Sequence, residues 1–158
     1  MGLKKWMNIC GVKIGVKMNN PVKVVVDADA IIAQTDPNDA HHHTADKISQ
    51  SLVNMNAQVI YPSTAIAEAN AYMQRVLNST ASAYGTAVVF TNQDVQVANV
   101  NKETIRSAVK YFSPTTSKKN TLFDCIVAAV AEEYEADAIF SFDHFYISKG
   151  FKLAKDIK

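Results

Sequence analysis

At 158 residues, with 48% hydrophobic and 20% charged residues, the chain has the length of one domain burying roughly two-thirds of its unfolded surface. A net charge of +1 excludes nucleic-acid binding through global basicity, although a local patch or a metal can still receive a phosphate. Two cysteines, Cys10 and Cys125, are too few for a disulfide framework and fit a reducing cytoplasm.

Residues 1–20 carry Lys4, Lys5, Lys13 and Lys17 and no acid. Gly11, Lys13 and Gly15 interrupt their apolar residues, so the segment lacks the core of a signal peptide or membrane span. It is expected to be a poorly ordered basic extension, with residues 21–158 forming the single domain. A basic arm for nucleic acid is the alternative.

The domain is organised around Lys23-Val-Val-Val-Asp-Ala-Asp-Ala-Ile-Ile-Ala33. Lys23 to Val26 is a short β-branched run without alternation, which suits a strand buried on both faces of a parallel sheet. Asp27 ends the run, and helical composition follows. A carboxylate there lies where open α/β sheets bind ligands, and it is also a plain helix cap.

After the turn at Asp36-Pro-Asn-Asp39 the apolar spacing predicts a helix from Ala45 to Asn56. His41, His42 and His43 precede it. On a helix each residue turns by about 100°, so these three cannot ligate one metal together and read as a solvated first turn. Gln58 to Tyr61 is a second strand, stopped by Pro62. A helix follows with Ser63 or Thr64 as cap candidate and an apolar arc of Ala65, Ile66, Ala69, Tyr72, Met73 and Val76. Glu68 falls just outside that arc.

Thr86 to Thr91 is the third strand candidate, and Asp94 to Val100 alternates only weakly. Asn101 caps a helix expected to reach about Phe112. Ser113 to Asn120 is the most loop-like segment, and its Lys118 and Lys119 are candidates for phosphate contact. Thr121-Leu-Phe-Asp124 has capping-box spacing and opens a strongly apolar helix, so Asp124 has a structural role available to it. Asp137 to Phe142 is the next buried strand, ended by Asp143. Residues 151–154 have room for an edge strand.

Helices alternating with short apolar strands imply a mainly parallel sheet covered on both sides, with all strand C-termini at one edge. Asp27 and Asp143 fall on that edge. Glu68 and Asp124 lie within two turns of helix starts at the same edge. Four acids gathered there call for a counter-ion, and Mg²⁺ or Mn²⁺ accepts hard oxygen ligands.

With those acids in view, the chain resembles the PIN-domain nuclease family over roughly Lys23 to Ala154. The resemblance is carried by Val24-Val-Val-Asp-Ala-Asp-Ala-Ile-Ile32, Asp39-Ala-His-His-His-Thr-Ala45, Pro62-Ser-Thr-Ala-Ile-Ala-Glu68, Asp124-Cys-Ile-Val-Ala-Ala-Val-Ala131 and Ala138-Ile-Phe-Ser-Phe-Asp143. It implies a three-layer α/β/α fold with a parallel sheet of about five strands, order 3-2-1-4-5. By that resemblance Asp27, Glu68, Asp124 and Asp143 are the catalytic, metal-holding acids, and Ser141 supports them. Asp29 stands where the family commonly has Asn, Ser or Thr, and Phe145 also fits the pattern.

The implied activity is Mg²⁺- or Mn²⁺-dependent hydrolysis of RNA phosphodiester bonds. The size implies the toxin subclass of toxin–antitoxin pairs, with an antitoxin peptide as partner, a homodimer as assembly, a cytoplasmic location and no membrane.

Two other readings compete. Asp27-Ala-Asp29 and Val88-Val-Phe-Thr-Asn92 look like the first two motifs of haloacid-dehalogenase-type phosphatases, with Asp27 as nucleophile. That reading lacks the usual residues after Asp29 and leaves Glu68 and Asp124 without roles. The third is a non-catalytic PIN-like binding module.

Overall fold

A computed structural model describes residues 20–115 and 117–157. The expected basic extension lies outside the described residues, Asn20 excepted. Four strands form one parallel sheet of order β3-β2-β1-β4: β1 (Lys23–Val26), β2 (Gln58–Pro62), β3 (Gln96–Ala98) and β4 (Ala138–Phe140). In β1, Val24 pairs with Val59 on one side and Ala138 on the other, and Val25 pairs with Ile60 and Ile139. Ile60 of β2 pairs with Gln96 of β3.

Val24, Val25 and Val26 are fully buried, as an unalternating run between two neighbouring strands requires. The expected edge strand at 151–154 reduces to one parallel bridge, Ile139 to Leu153, with the Ile139 amide donating to the Lys152 carbonyl at 2.9 Å. That bridge occupies the fifth position of the order 3-2-1-4-5.

Among the described residues seven helices connect and cover the sheet: α1 (Ala28–Thr35), α2 (His42–Asn54), α3 (Ser63–Arg75), α4 (Thr80–Val89), α5 (Lys102–Ala108), α6 (Leu122–Glu133) and α7 (Phe145–Ser148). A 3₁₀ turn at Ala154–Asp156 follows. Helix α6 is buried on every side from Cys125 to Ala131 and packs on β1, β2 and β4. Buried Ala128, Ala129 and Ala131 keep its surface small where it packs on the sheet and on α5. Helix α1 packs between α2 and α3.

Three expectations are corrected. Thr86 to Thr91 is not a strand. Its residues through Val89 belong to α4, which Ser79 caps by accepting from the Ser82 amide. Val88 and Val89 are exposed, so their β-branched run is not a buried sheet segment, whereas Ala83 and Thr86 face α3 and the Met73 sulfur. The third strand falls instead inside the weakly alternating stretch from Asp94 to Val100. Helix α5 stops at Ala108, and the Tyr111 amide then turns back onto the Ala108 carbonyl. Helix α3 has Pro62 at its cap position, and the Ser63 hydroxyl accepts from the Val100 amide at 3.3 Å.

Candidate functional site

Each acid arrives by a local rule of the chain. Asp27 leaves β1 in extended backbone, and its Oδ1 accepts from the Ala28 amide at 2.7 Å, capping α1. Asp29 is one half-turn further on. Glu68 lies in the second turn of α3. Asp124 closes the capping box predicted at Thr121: its Oδ2 accepts from the Thr121 amide at 2.5 Å and from the Thr121 hydroxyl at 3.1 Å. Asp143 follows β4, where its Oδ1 accepts from the Phe145 amide at 2.8 Å and its Oδ2 from the Asn120 side chain at 3.2 Å.

The parallel topology brings these side chains to one place. Asp27, Asp29, Glu68, Asp124 and Asp143 line a single cleft of about 170 Å³ together with Ala28, Ile32 and Tyr72. Below it is a buried network. The Tyr146 hydroxyl, on a fully buried ring, donates to Asp27 Oδ2 at 2.8 Å. The Ser141 hydroxyl, also buried, lies 3.1 Å from Asp27 Oδ2 and 2.9 Å from Asp29 Oδ2, and it accepts from the Asp143 amide at 3.0 Å. Asp29 Oδ2 accepts in addition from the Phe142 amide at 2.8 Å.

Tyr146 thus occupies one lone pair of Asp27 Oδ2, and the single Ser141 hydrogen is shared between Asp27 and Asp29. Asp29 Oδ1 is buried with no hydrogen-bond partner among the described residues.

Burial and crowding oppose ionisation here. Burial pushes Asp27 well above the usual carboxylate range and the neighbouring Asp29 charge adds to it, against the favourable bond from Tyr146. Asp29 is raised first by burial, with the Phe142 amide and Ser141 hydroxyl pulling the other way. Glu68 is pushed up to about 7 by burial, then by the charges of Asp124 and Asp29. Asp124 is raised by burial and partly restored by its bonds from Thr121.

Among the described residues no three His, Cys, Asp or Glu side chains already form a closed ligand set for one ion. The donors nonetheless fit a hard divalent cation. They are oxygens throughout, and Asp29 Oδ1 has no hydrogen-bond partner among the described residues.

The remaining candidates from the sequence separate from the cleft. Lys118 and Lys119 are exposed in the turn before α6 and do not line it. Asn120, bound to Asp143, anchors that turn at the rim. The histidines take different places: His41 stacks on Phe142 with ring centres 4.2 Å apart, His42 Nδ1 is 2.6 Å from the Ala33 carbonyl oxygen, and His43 is exposed. Sequence reasoning missed Tyr146 altogether and assigned Tyr72 to the core. A tyrosine where phenylalanine would pack equally well was the only available signal for Tyr146.

Comparison with known proteins gives a concordant picture. A family model described as "PIN domain" matches residues 24–151. The fold is similar to that of VapC20 from Mycobacterium tuberculosis, described as a sarcin-ricin loop cleaving toxin, at a TM-score of 0.70 and 18% identity over 81% of this chain and 95% of that one. It is also similar to FitAcB from Neisseria gonorrhoeae, at a TM-score of 0.59 and 12% identity over 82% and 95% of the two chains. No curated protein matches the sequence.

Proposed function

Because this chain belongs to the PIN-domain family, we propose that it is a Mg²⁺- or Mn²⁺-dependent endoribonuclease of the toxin type. The observation that carries the reading is the convergence of five carboxylates on one cleft at the strand C-termini. The description of VapC20 as an RNA-loop-cleaving toxin supports RNA as the substrate class, and an antitoxin peptide and a homodimer belong to the same proposal. No helix of the described residues is long and apolar enough to cross a membrane.

In this reading Asp27, Glu68, Asp124 and Asp143 hold the ion, and Asp29 offers its unpartnered Oδ1 beside them. A divalent ion so held would orient and activate water and offset charge on the scissile phosphate. The chain itself does the rest. Tyr146 and Ser141 hold the Asp27 carboxylate at Oδ2, and the Ala28 amide holds it at Oδ1. Ser141 and the Phe142 amide fix Asp29, and the Asn120 and Phe145 contacts fix Asp143. In the same reading Lys118 and Lys119, on the turn that Asn120 ties to Asp143, meet flanking phosphates.

The phosphatase reading loses its second motif, because Val88 and Val89 end a helix rather than a strand.

The test is cleavage of single-stranded RNA with Mn²⁺, run beside hydrolysis of p-nitrophenyl phosphate. RNA cleavage that disappears in Asp27→Asn and in EDTA is expected. Phosphatase activity without RNA cleavage would overturn the proposal.

A further inference from the structure

Tyr72 is the one aromatic ring lining the acidic cleft among the described residues. It lies one helical turn beyond Glu68 on α3, so the two side chains share a face. Its neighbours Ala69 and Met73 are fully buried, yet Tyr72 is 40% exposed. Among the described residues its side chain has no hydrogen bond, ion pair or ring contact. Ile32, from α1, also lines the cleft, so apolar surface stands beside the carboxylates.

This arrangement meets a specific need. Among the described residues no lysine or arginine lines the cleft, and its carboxylates repel a phosphate chain. With a net charge of +1, the chain has little general attraction to RNA to compensate. Lys118 and Lys119 stand outside the cleft, so affinity within it beyond what a metal supplies must come from the uncharged part of a nucleotide. A base stacks on tyrosine whatever its identity, provided it is first unstacked from its own neighbours.

We propose that Tyr72 is a nucleobase-stacking subsite, receiving an unstacked base of single-stranded RNA beside the phosphodiester at the carboxylates. The proposal rests on the nuclease reading for its substrate and adds what the protein grips. It implies selection for unpaired RNA with little preference among bases at that position.

The experiment compares the full chain with Tyr72→Ala, Tyr72→Phe and Tyr72→Trp in Mn²⁺, using an oligoribonucleotide with and without 2-aminopurine, whose fluorescence falls on stacking. Tyr72→Ala is expected to raise KM about tenfold or more with kcat within about twofold, and to lose the quenching. Tyr72→Phe and Tyr72→Trp should keep both. An unchanged KM and undiminished quenching in Tyr72→Ala would overturn the stacking site while leaving the nuclease reading in place. Quenching by the wild type without any cleavage would sink the nuclease reading and leave the stacking site standing. Dissociation of a wild-type dimer by Tyr72→Ala, with RNA affinity intact, would show that a second copy covers this face and would also overturn the proposal.

Discussion

The hydroxyl of Tyr146 meets Asp27 across 119 residues of sequence, and nothing local marks either as the other's partner. Tyr146→Phe keeps the buried ring and removes only that bond. It is expected to cost about 1–2 kcal/mol in thermal or urea unfolding. Mn²⁺ affinity measured by calorimetry should fall about 10- to 100-fold. In the Asp27→Asn background the same substitution should leave affinity unchanged, because the oriented carboxylate is already gone.

Asp124 has two roles in one side chain, a cap for α6 and a charge in the cleft. Asparagine keeps a carbonyl oxygen for the Thr121 amide while removing the charge. Asp124→Asn should therefore match or exceed the wild type in melting temperature in EDTA and gain less from Mn²⁺. A mutant about 1 kcal/mol less stable in EDTA with a full Mn²⁺ response would make Asp124 a cap only. At this scale the acids were legible because charge interrupts apolar runs. Tyr72 was not, since a helical arc records which residues are apolar and not where the packing partner ends.

Among the elements, β1 and α6 were legible because both are buried on all sides and their composition has nothing else to do. Ala128 lies in the middle of α6, fully buried. Ala128→Leu should overpack the helix against the sheet and cost about 1–3 kcal/mol in unfolding experiments. The end of helix α4 reads as a strand, and the stretch that holds β3 stays undecided. Thr86-Ala-Val-Val has strand composition, but the Ser79 cap and the partner surface on α3 select a helix, and tertiary packing overrides a weak local preference. With that run removed, the third strand is only Gln96–Ala98, too short for alternation to declare itself. The corrected assignment has a simple check. Val88→Glu on an exposed helical face should change stability by no more than about 0.5 kcal/mol, where a buried strand would not tolerate it.

For the molecule as a whole, the gathering of acids couples folding to pH. Glu68 is raised from 4.5 to about 7 in the folded chain, and Asp27, Asp29 and Asp124 are raised as well. A carboxyl raised on folding contributes stability that is present below its unfolded value and lost as pH rises through its folded value. Metal-free protein should therefore lose stability between about pH 4.5 and 7, read from melts in EDTA. Mn²⁺ should reverse the slope near neutrality, adding about 2.7 kcal/mol at a hundredfold excess over Kd. Ser141 carries this further. Its hydroxyl holds one hydrogen and faces an oxygen of Asp27 and an oxygen of Asp29, so it satisfies one of them as a donor. The other contact is a hydrogen bond only if that carboxyl brings a hydrogen of its own. The cleft then behaves as an ion exchanger loaded with hydrogen ion, and a divalent cation enters by displacing it. Unbuffered protein should acidify when Mn²⁺ is added near neutral pH, and the apparent heat of binding should change with the ionisation heat of the buffer.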